Sequence, residues 1–231
     1  MIQFNQLKKI YSGNTVLDID NLQIAQGESF GLVGNNGAGK TTLFRLLLDL
    51  IRANNGNATI KNLDVARNED WKRFTGSFLD AGLLIDFLSP EEFFAFTGKV
   101  KGLTKDEVDA FLAEMTDFFN HEVIGKNKLI RNLSMGNQQK TGIAAAMMGK
   151  PEIVILDEPF NSLDPSSQIR LKQLIKSKKA NEKITFLISS HDLNHITEVC
   201  DRIVILENGK IVHDIQTSTD TLASLENYFA V

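Results

Sequence analysis

The sequence predicts an α/β fold in which a mainly parallel sheet is interrupted by a helical subdomain. Short, largely apolar segments recur in the second half of the chain, and such segments are typical of strands that helices cover on both faces of a sheet. These segments are Ile153–Leu156, Thr185–Ser189 and Ile203–Leu206. Between Leu83 and Gly149 the pattern is helical instead, so we expect helices to be inserted between the strands.

Further strand candidates lie before and after the helical middle of the chain. Short β-branched or apolar runs predict strands at Ile2–Leu7, Leu22–Ala25, Ser29–Val33, Ala58–Ile60 and Ser77–Leu79. Near the other end, Asn208 and Gly209 form a hairpin signal that joins Ile203–Leu206 to Ile211–Asp214. Asp220–Val231 is predicted to form a short amphipathic helix.

The helical middle of the chain begins with clear helix-start signals. Ser89 and Thr104 are each followed three residues later by a glutamate, which is the pattern of a capping box. Seven of the 15 phenylalanines lie here, and we expect most of them to form the core of the subdomain. A few apolar side chains are candidates for a groove that grips an amphipathic helix of a partner. They are Leu83, Leu84, Phe87 and Phe94.

The composition is that of an ordinary globular protein. The chain has 231 residues, with 42% hydrophobic and 23% charged residues and a net charge of −4, so we expect neither global disorder nor nucleic-acid binding. The single cysteine excludes an intrachain disulfide and fits a reducing compartment. No segment has 18 consecutive apolar residues, and the first 30 residues lack a signal-peptide pattern, so a cytoplasmic location is expected.

The segment Gly34–Thr41 matches the phosphate-loop pattern G-x-x-x-x-G-K-[ST]. A strand candidate precedes it and a predicted helix, Lys40–Ile51, follows it, which is the context that the motif needs. Glycines let backbone N–H groups surround phosphate oxygens, and a lysine at the helix start adds a positive charge. The predicted nucleotide-binding residues are Asn35, Gly37, Ala38, Gly39, Lys40, Thr41 and Thr42. The alternative is a glycine-rich turn that binds nothing.

Two carboxylates, Asp157 and Glu158, follow the strand candidate Ile153–Leu156. A side chain at the carboxyl end of a parallel strand lies in the crevice where such sheets bind ligands. We predict that the Thr41 hydroxyl binds Mg²⁺, that Asp157 holds the ion through its water shell, and that Glu158 orients or deprotonates the attacking water. The alternative is a solvated strand end. Together with the phosphate loop, these acids predict a P-loop NTPase.

Five further segments or residues resemble motifs of the ATP-binding cassette (ABC) ATPases. Leu133–Lys140 is similar to the signature segment, usually LSGGQ-x-Q-[KR], and Ser162–Asp164 is similar to the D-loop. His191 resembles the switch histidine, and Tyr11 resembles the aromatic residue that stacks on adenine. Gly76–Asp80 resembles the strand that enters the Q-loop. The resemblance extends from residue 1 to at least residue 214.

The resemblance implies a fold and a mode of action. The fold is a P-loop NTPase core of mainly parallel sheet, with an N-terminal antiparallel β part and an inserted helical subdomain. A single domain would span 1–231, with 1–80 and 150–231 as core and 81–149 as the helical subdomain. Two copies would form a head-to-tail dimer around ATP. The signature residues would contact ATP on the partner, Asp164 would link the two sites, and His191 would contact the γ-phosphate. These signature residues are Ser134, Met135, Gly136 and Asn137.

Three residues depart from the family pattern. Met135 replaces a glycine and Asn137 a glutamine, but each retains a backbone N–H or a side-chain amide, so we expect hydrolysis to be retained. Asp80 lies where the family usually has glutamine. Because aspartate is shorter, we expect it to approach Mg²⁺ through a water molecule.

The sequence therefore predicts an Mg²⁺-dependent ATPase subunit of an ABC transporter, resembling exporters of antibiotics or multiple drugs. A separate integral-membrane permease would carry the substrate, and the dimer would be either a homodimer or a heterodimer with another ABC subunit. The chain would lie on the cytoplasmic face of the membrane. Two alternatives remain open, namely a soluble ABC ATPase acting on ribosomes or DNA and a nucleotide-gated interaction module with weak hydrolysis.

Overall fold

The computed structural model describes residues 1–229, which form ten strands and eight α-helices. The strands are β1 (Ile2–Tyr11), β2 (Asn14–Ile24), β3 (Ser29–Val33), β4 (Asn55–Ile60), β5 (Leu63–Asp64), β6 (Thr75–Phe78), β7 (Ile153–Leu156), β8 (Thr185–Ser190), β9 (Arg202–Glu207) and β10 (Lys210–Gln216). The helices are α1 (Lys40–Leu47), α2 (Pro90–Val100), α3 (Lys105–Glu114), α4 (Thr116–Phe119), α5 (Met135–Met147), α6 (Pro165–Glu182), α7 (Leu193–Val199) and α8 (Thr221–Phe229).

The larger sheet has the strand order β10-β9-β3-β8-β7-β6. Its strands are parallel except for β10, which pairs antiparallel with β9 across the predicted hairpin. A second, antiparallel sheet has the order β2-β1-β4-β5 and comes from the N-terminal part of the chain. These two sheets and the helices inserted between β6 and β7 confirm the predicted fold class.

Two hydrophobic cores lie on opposite faces of the larger sheet, and β7 contributes to both. Its side chains alternate, as the period of a strand requires. Ile153 and Ile155 pack with α1 and the antiparallel sheet. Val154 and Leu156 pack with the helices of the other face. All four side chains are fully buried, which accounts for the continuous apolar run in the sequence.

Helix α5 lies unusually close to β6, because glycines occupy the contact. A Cβ atom on Gly142 would lie 2.0 Å from the ring of Phe78. A Cβ atom on Gly76 would lie 1.7 Å from the carbonyl oxygen of Ala146. A larger residue at position 76 would displace the backbone of α5, and one at position 142 would displace the Phe78 ring, so both glycines allow α5 to pack closely on β6.

Several element boundaries differ from prediction for local reasons. Helix α1 ends at Leu47 rather than Ile51, because Asp49 takes a left-handed φ of 53° and the Leu50 N–H donates to the Arg45 carbonyl at 2.9 Å. Strand β2 begins at Asn14 instead of Leu22, and β1 extends to Tyr11.

Two predictions in the other parts of the chain were also only partly right. Phe94 was expected to line a groove, but it is fully buried, with its ring centroid 5.8 Å from that of Phe119. Leu83 and Phe87 are exposed.

Helix α8 begins one residue later than predicted, and the predicted helical residues 230–231 lie outside the described residues. Cys200 is buried. No helix among residues 1–229 combines the length and apolar character needed to cross a membrane.

Candidate active site

The phosphate-loop segment connects the end of β3 to the first residue of α1. Gly37 and Gly39 have φ values of 85° and 112°, which favour glycine. Gly34 is needed for a different reason, since a Cβ atom there would lie 2.3 Å from the Leu206 carbonyl oxygen. Glycine at these positions therefore allows the left-handed backbone of the loop and its close contact with the Leu206 carbonyl.

Lys40 is the first residue of α1 and is buried. Its ammonium donates to the Gly34 carbonyl at 2.6 Å and lies 3.3 Å from the Glu158 carboxylate. The loop thus holds a positive charge in place at the N-terminus of a helix, where the helix dipole also favours anions. A phosphate that enters would compete with Glu158 for this charge.

Asp157 is buried at the carboxyl end of β7 and accepts two hydrogen bonds from side chains. The Thr41 hydroxyl donates to one carboxylate oxygen at 2.5 Å, and the Ser189 hydroxyl donates to the other. Burial raises the pKa of Asp157 above its ordinary value, and these two hydrogen bonds oppose the shift. Two hard oxygen donors, those of Thr41 and Asp157, are therefore adjacent.

Glu158 contacts two neighbouring side chains, Lys40 and His191, through its carboxylate. One oxygen faces Lys40, and the other lies 3.0 Å from Nδ1 of His191. The backbone N–H of Glu158 donates to the Ser189 hydroxyl at 2.9 Å. The structure thus brings Lys40, Thr41, Asp157, Glu158 and His191 together at one edge of the sheet, as the sequence analysis expected.

An open groove of about 300 Å³ runs along the phosphate loop. Its lining includes every residue that the sequence predicted to bind nucleotide, and also Glu158. Those residues are Tyr11, Asn35, Gly37, Ala38, Gly39, Lys40, Thr41 and Thr42. Tyr11 lines this groove and is 45% exposed, and the Lys9 ammonium lies over its ring, 4.8 Å from the centroid. A positive charge at a helix N-terminus suits a phosphate, and the oxygens of Thr41 and Asp157 suit Mg²⁺, whose remaining ligands would come from phosphate and water.

The signature residues lie at the N-terminus of α5, away from this groove. The Ser134 hydroxyl accepts from the Asn137 N–H at 3.3 Å and so caps the helix. Met135 is exposed, and the Asn137 side-chain amide donates to the Glu122 carbonyl at 3.4 Å. Within the described part of the chain, no hydrogen bond or ion pair connects these residues to the phosphate loop.

The D-loop segment packs against the signature helix. A Cβ atom on Gly136 would lie 2.7 Å from the Ser162 carbonyl oxygen. Asp164 caps α6, because its carboxylate accepts from the Ser167 hydroxyl at 2.6 Å, the Ser166 hydroxyl at 2.7 Å and the Ser167 N–H at 3.0 Å. These hydrogen bonds hold the pKa of Asp164 well below its usual range.

Asp80 follows β6 and lies on the surface. Its carboxylate accepts from the Gly82 N–H at 2.6 Å and so starts the short 3₁₀ turn Ala81–Leu83. Over residues 1–229 it has no hydrogen bond to Thr41 or Asp157. Its predicted approach to Mg²⁺ is therefore an expectation that depends on water.

Sequence reasoning missed the roles of two residues that hydrogen-bond to the main chain of Glu158. Ser189 bridges Asp157 and the Glu158 backbone, yet the sequence analysis treated it only as a strand residue. Gln139 donates from α5 to the Glu158 carbonyl at 3.3 Å. The position of Ser189 two residues before His191, at the carboxyl end of a buried strand, was a usable signal. No signal in the sequence pairs Gln139 with Glu158.

The fold and the site define a cassette of the P-loop class with a signature helix, and comparison with known proteins agrees. The family model described as ABC transporter matches residues 17–161. The chain belongs to the ABC transporter family, among its ATP-binding proteins.

Three curated relatives show how far the likeness extends. The bacitracin transport ATP-binding protein BcrA of Bacillus licheniformis is 33% identical over 93% of this chain and 69% of its own length. The linearmycin resistance ATP-binding protein LnrL of Bacillus subtilis is 32% identical over 97% of this chain and 72% of its own length. The uncharacterized ABC transporter ATP-binding protein sll0415 of Synechocystis sp. is 35% identical over 83% of this chain. The chain spans only 54% of the length of that relative.

A solved structure shows the same fold. The dimeric post-hydrolysis state of the ATP-binding cassette MJ0796, bound to ADP and Pi, aligns with a TM-score of 0.85. The alignment covers 94% of this chain and 99% of that chain at 24% identity. This likeness confirms the cassette architecture.

Proposed function

We propose that the chain binds ATP and hydrolyses it to ADP and phosphate, as the ATPase subunit of an ABC transporter. The observation that carries the proposal is the convergence of Lys40, Thr41, Asp157, Glu158 and His191 at one edge of the parallel sheet. Phosphoryl transfer needs a fixed positive charge, oxygen ligands for a cation and a group that activates water, and these side chains supply all three.

The phosphate loop would bind the triphosphate through its backbone N–H groups, from Asn35 to Thr42. Lys40 would exchange its contact with Glu158 for one with phosphate, since both are anions within its reach. Tyr11 would stack on the adenine through its exposed ring.

Thr41 and Asp157 would hold Mg²⁺, with Asp80 contributing through water. The bound cation would neutralise part of the phosphate charge. Ser189 keeps the Asp157 carboxylate oriented toward Thr41, because it donates to the oxygen that Thr41 leaves free.

Glu158 would accept the proton of the attacking water. His191 holds the Glu158 carboxylate by one oxygen, and its half-exposed ring would also contact the γ-phosphate. Once Lys40 turns to phosphate, the other carboxylate oxygen becomes free to act as the base.

Two cassettes would close head to tail around ATP. The N-terminus of α5 is exposed and capped by a serine, so its hydroxyl and N–H groups can bind an anion on a partner. Ser134, Met135, Gly136 and Asn137 would complete the partner's site, and Asp164 would link the two sites. The partner is a second copy of this chain or another ABC subunit.

A separate integral-membrane permease would carry the transported substrate, and the cassette would lie on the cytoplasmic face of the membrane. The names of BcrA and LnrL, bacitracin transport and linearmycin resistance, favour export. Residues 81–149 would act as a helical subdomain on the core formed by 1–80 and 150–231. The exposed side chain of Leu83 borders, together with Leu84, a cleft of about 420 Å³ that suits an apolar helix of the permease.

The test of this proposal replaces the base. Glu158→Gln should lower the ATP turnover rate by about 10³-fold, because the amide cannot accept the proton of water. ATP should still bind, and a dimer should accumulate in the presence of ATP and Mg²⁺. Turnover, ATP affinity and mass by light scattering are the measurements.

Lys40→Ala serves as the contrasting variant, since it should weaken ATP binding itself. If Glu158→Gln hydrolysed ATP at the rate of the unchanged protein, the assignment of the base would be wrong. If the unchanged protein bound no ATP, the whole proposal would fail.

A further inference from the structure

The backbone of Glu158 takes an uncommon conformation. Its φ angle is 48°, in the left-handed region that glutamate rarely occupies. Such a conformation persists only where neighbouring groups fix it. Because the direction of a side chain depends on the backbone angles of its own residue, the groups that fix this backbone also aim the Glu158 carboxylate.

Three hydrogen bonds fix the main chain of Glu158. Its N–H donates to the Ser189 hydroxyl at 2.9 Å. Its carbonyl accepts from the Asn161 N–H at 3.2 Å within the same turn, and from the side-chain amide of Gln139 at 3.3 Å. Of the three residues that make these hydrogen bonds to Glu158 within residues 1–229, only Gln139 belongs to a helix.

That helix is α5, and its position is set along its length. Gly142 packs on the Phe78 ring, and Gly136 packs on the Ser162 carbonyl, each too closely to admit a side chain. The first turn of α5 therefore contacts the segment that follows Glu158. A shift of this helix cannot occur without a change at residues 158–162.

We propose that Gln139 is a positioning residue, which holds the Glu158 carbonyl and thereby transmits the placement of the Ser134 end of α5 to the Glu158 carboxylate. The inference rests on the proposed function, in which Ser134 binds the partner's ATP and Glu158 acts on the chain's own ATP. One rigid helix then connects the two sites through a single amide.

Catalysis in this proposal requires the Glu158 carboxylate to be placed accurately. The Glu158 carboxylate has to keep its contact with His191 while Lys40 turns toward phosphate. A small change in the peptide plane moves the carboxylate, and misplacement of a reacting group by about 1 Å costs about 100-fold in rate. Gln139 does not border the groove that holds the predicted nucleotide-binding residues, so its loss should leave ATP binding intact.

The chain offers a matched control for this residue. Gln138 precedes Gln139 on α5, is also half-buried, and donates its side-chain amide to the Leu133 carbonyl at 3.1 Å rather than to Glu158. Gln139→Met and Gln138→Met remove the same amide and introduce the same apolar side chain. Methionine is a good helix former, so both variants should keep α5 intact.

The first measurement separates turnover from binding. Gln139→Met should lower kcat for ATP about fivefold, the effect of losing one hydrogen bond, with KM changed less than twofold. Gln138→Met should keep kcat within twofold. Gln139→Glu, which has the same shape but lacks the donor, should behave as Gln139→Met. An unchanged kcat in both Gln139 variants, or a rise in KM with kcat retained, would overturn the inference.

The second measurement does not depend on hydrolysis. Hydrogen–deuterium exchange of the segment 157–163 should be faster in Gln139→Met than in the unchanged protein and in Gln138→Met, with equal melting temperatures in all three. Equal exchange in this segment would reject the positioning role. If the unchanged protein failed to hydrolyse ATP, the proposed function would be wrong, while faster exchange would still establish that Gln139 fixes the Glu158 turn.

Discussion

The buried carboxyl of Asp157 lowers the stability of the nucleotide-free chain when it is ionised. Burial raises the pKa of its carboxyl, so the folded chain binds this proton more tightly than the unfolded chain does. The sign of the effect on stability follows. Folding becomes less favourable as the pH rises above the ordinary aspartate pKa, and the full penalty is present above the raised pKa.

Asp157→Asn should therefore stabilise the nucleotide-free chain at high pH. The amide removes the buried charge and can still bond to Thr41 and Ser189. We expect its melting temperature to exceed that of the unchanged protein by about 3 °C at pH 8 and the two to converge toward pH 4. Thermal unfolding across this pH range, without nucleotide or Mg²⁺, measures the difference. A gap that widened toward low pH would contradict the assignment.

Helix α6 follows a residue, Asp164, that caps the helix and is also proposed to link the two ATP sites. Asp164 belongs to the D-loop segment, yet its carboxylate is engaged by three groups of the first turn of α6. Its lowered pKa means that this cap contributes stability above the ordinary aspartate pKa and loses it as the pH falls. Any link between the two proposed sites therefore involves the start of this helix.

Substitutions at Asp164 should separate the contribution of the helix cap to stability from the contribution of the negative charge. Asp164→Ala should lower the free energy of unfolding by about 1 kcal/mol, because α6 loses its N-cap. Asp164→Ser should lose only a few tenths of this amount, since serine caps nearly as well. Urea unfolding at pH 7 measures both. Equal losses in the two variants would indicate that the carboxylate acts through its charge instead.

The elements that could be predicted from sequence are those determined locally. The strands Ser29–Val33 and Ile153–Leu156 were predicted at their observed bounds, because both are buried on each face and end at a motif. Strand β2 was largely missed because Asp18 and Asp20 alternate with its buried side chains. The phosphate loop is contiguous and was predictable. Gln139 approaches Glu158 only through the packing of α5, which no local pattern reveals.

At the scale of the whole molecule, the two parts of the proposed ATP site lie on different parts of one chain. The phosphate loop opens into its own groove, and the Ser134 end of α5 is exposed elsewhere. A head-to-tail dimer would join each groove to the signature helix of the partner. Mutations in the two parts should then compensate when they are carried by different protomers.

A mixing experiment tests this arrangement. Lys40→Ala and Ser134→Asp should each be nearly inactive alone; aspartate keeps the helix cap but repels phosphate. In an equimolar mixture, half of the dimers are mixed and each has one complete site, so about a quarter of the normal ATPase activity should return. Steady-state phosphate release measures it.

A chain that carries both substitutions is the control, because mixing it with either variant restores no complete site. Activity of the first mixture no greater than the sum of its components would rule out composite sites. Full activity of Ser134→Asp alone would remove Ser134 from the mechanism.

The burial of Cys200 has a practical value for such work. Desolvation raises the pKa of this thiol to about 12, so it stays protonated and unreactive at neutral pH. It is also the only cysteine in the sequence. Fluorophores or spin labels attached through a new surface cysteine outside the proposed sites would report on opening and closing without background from the native thiol.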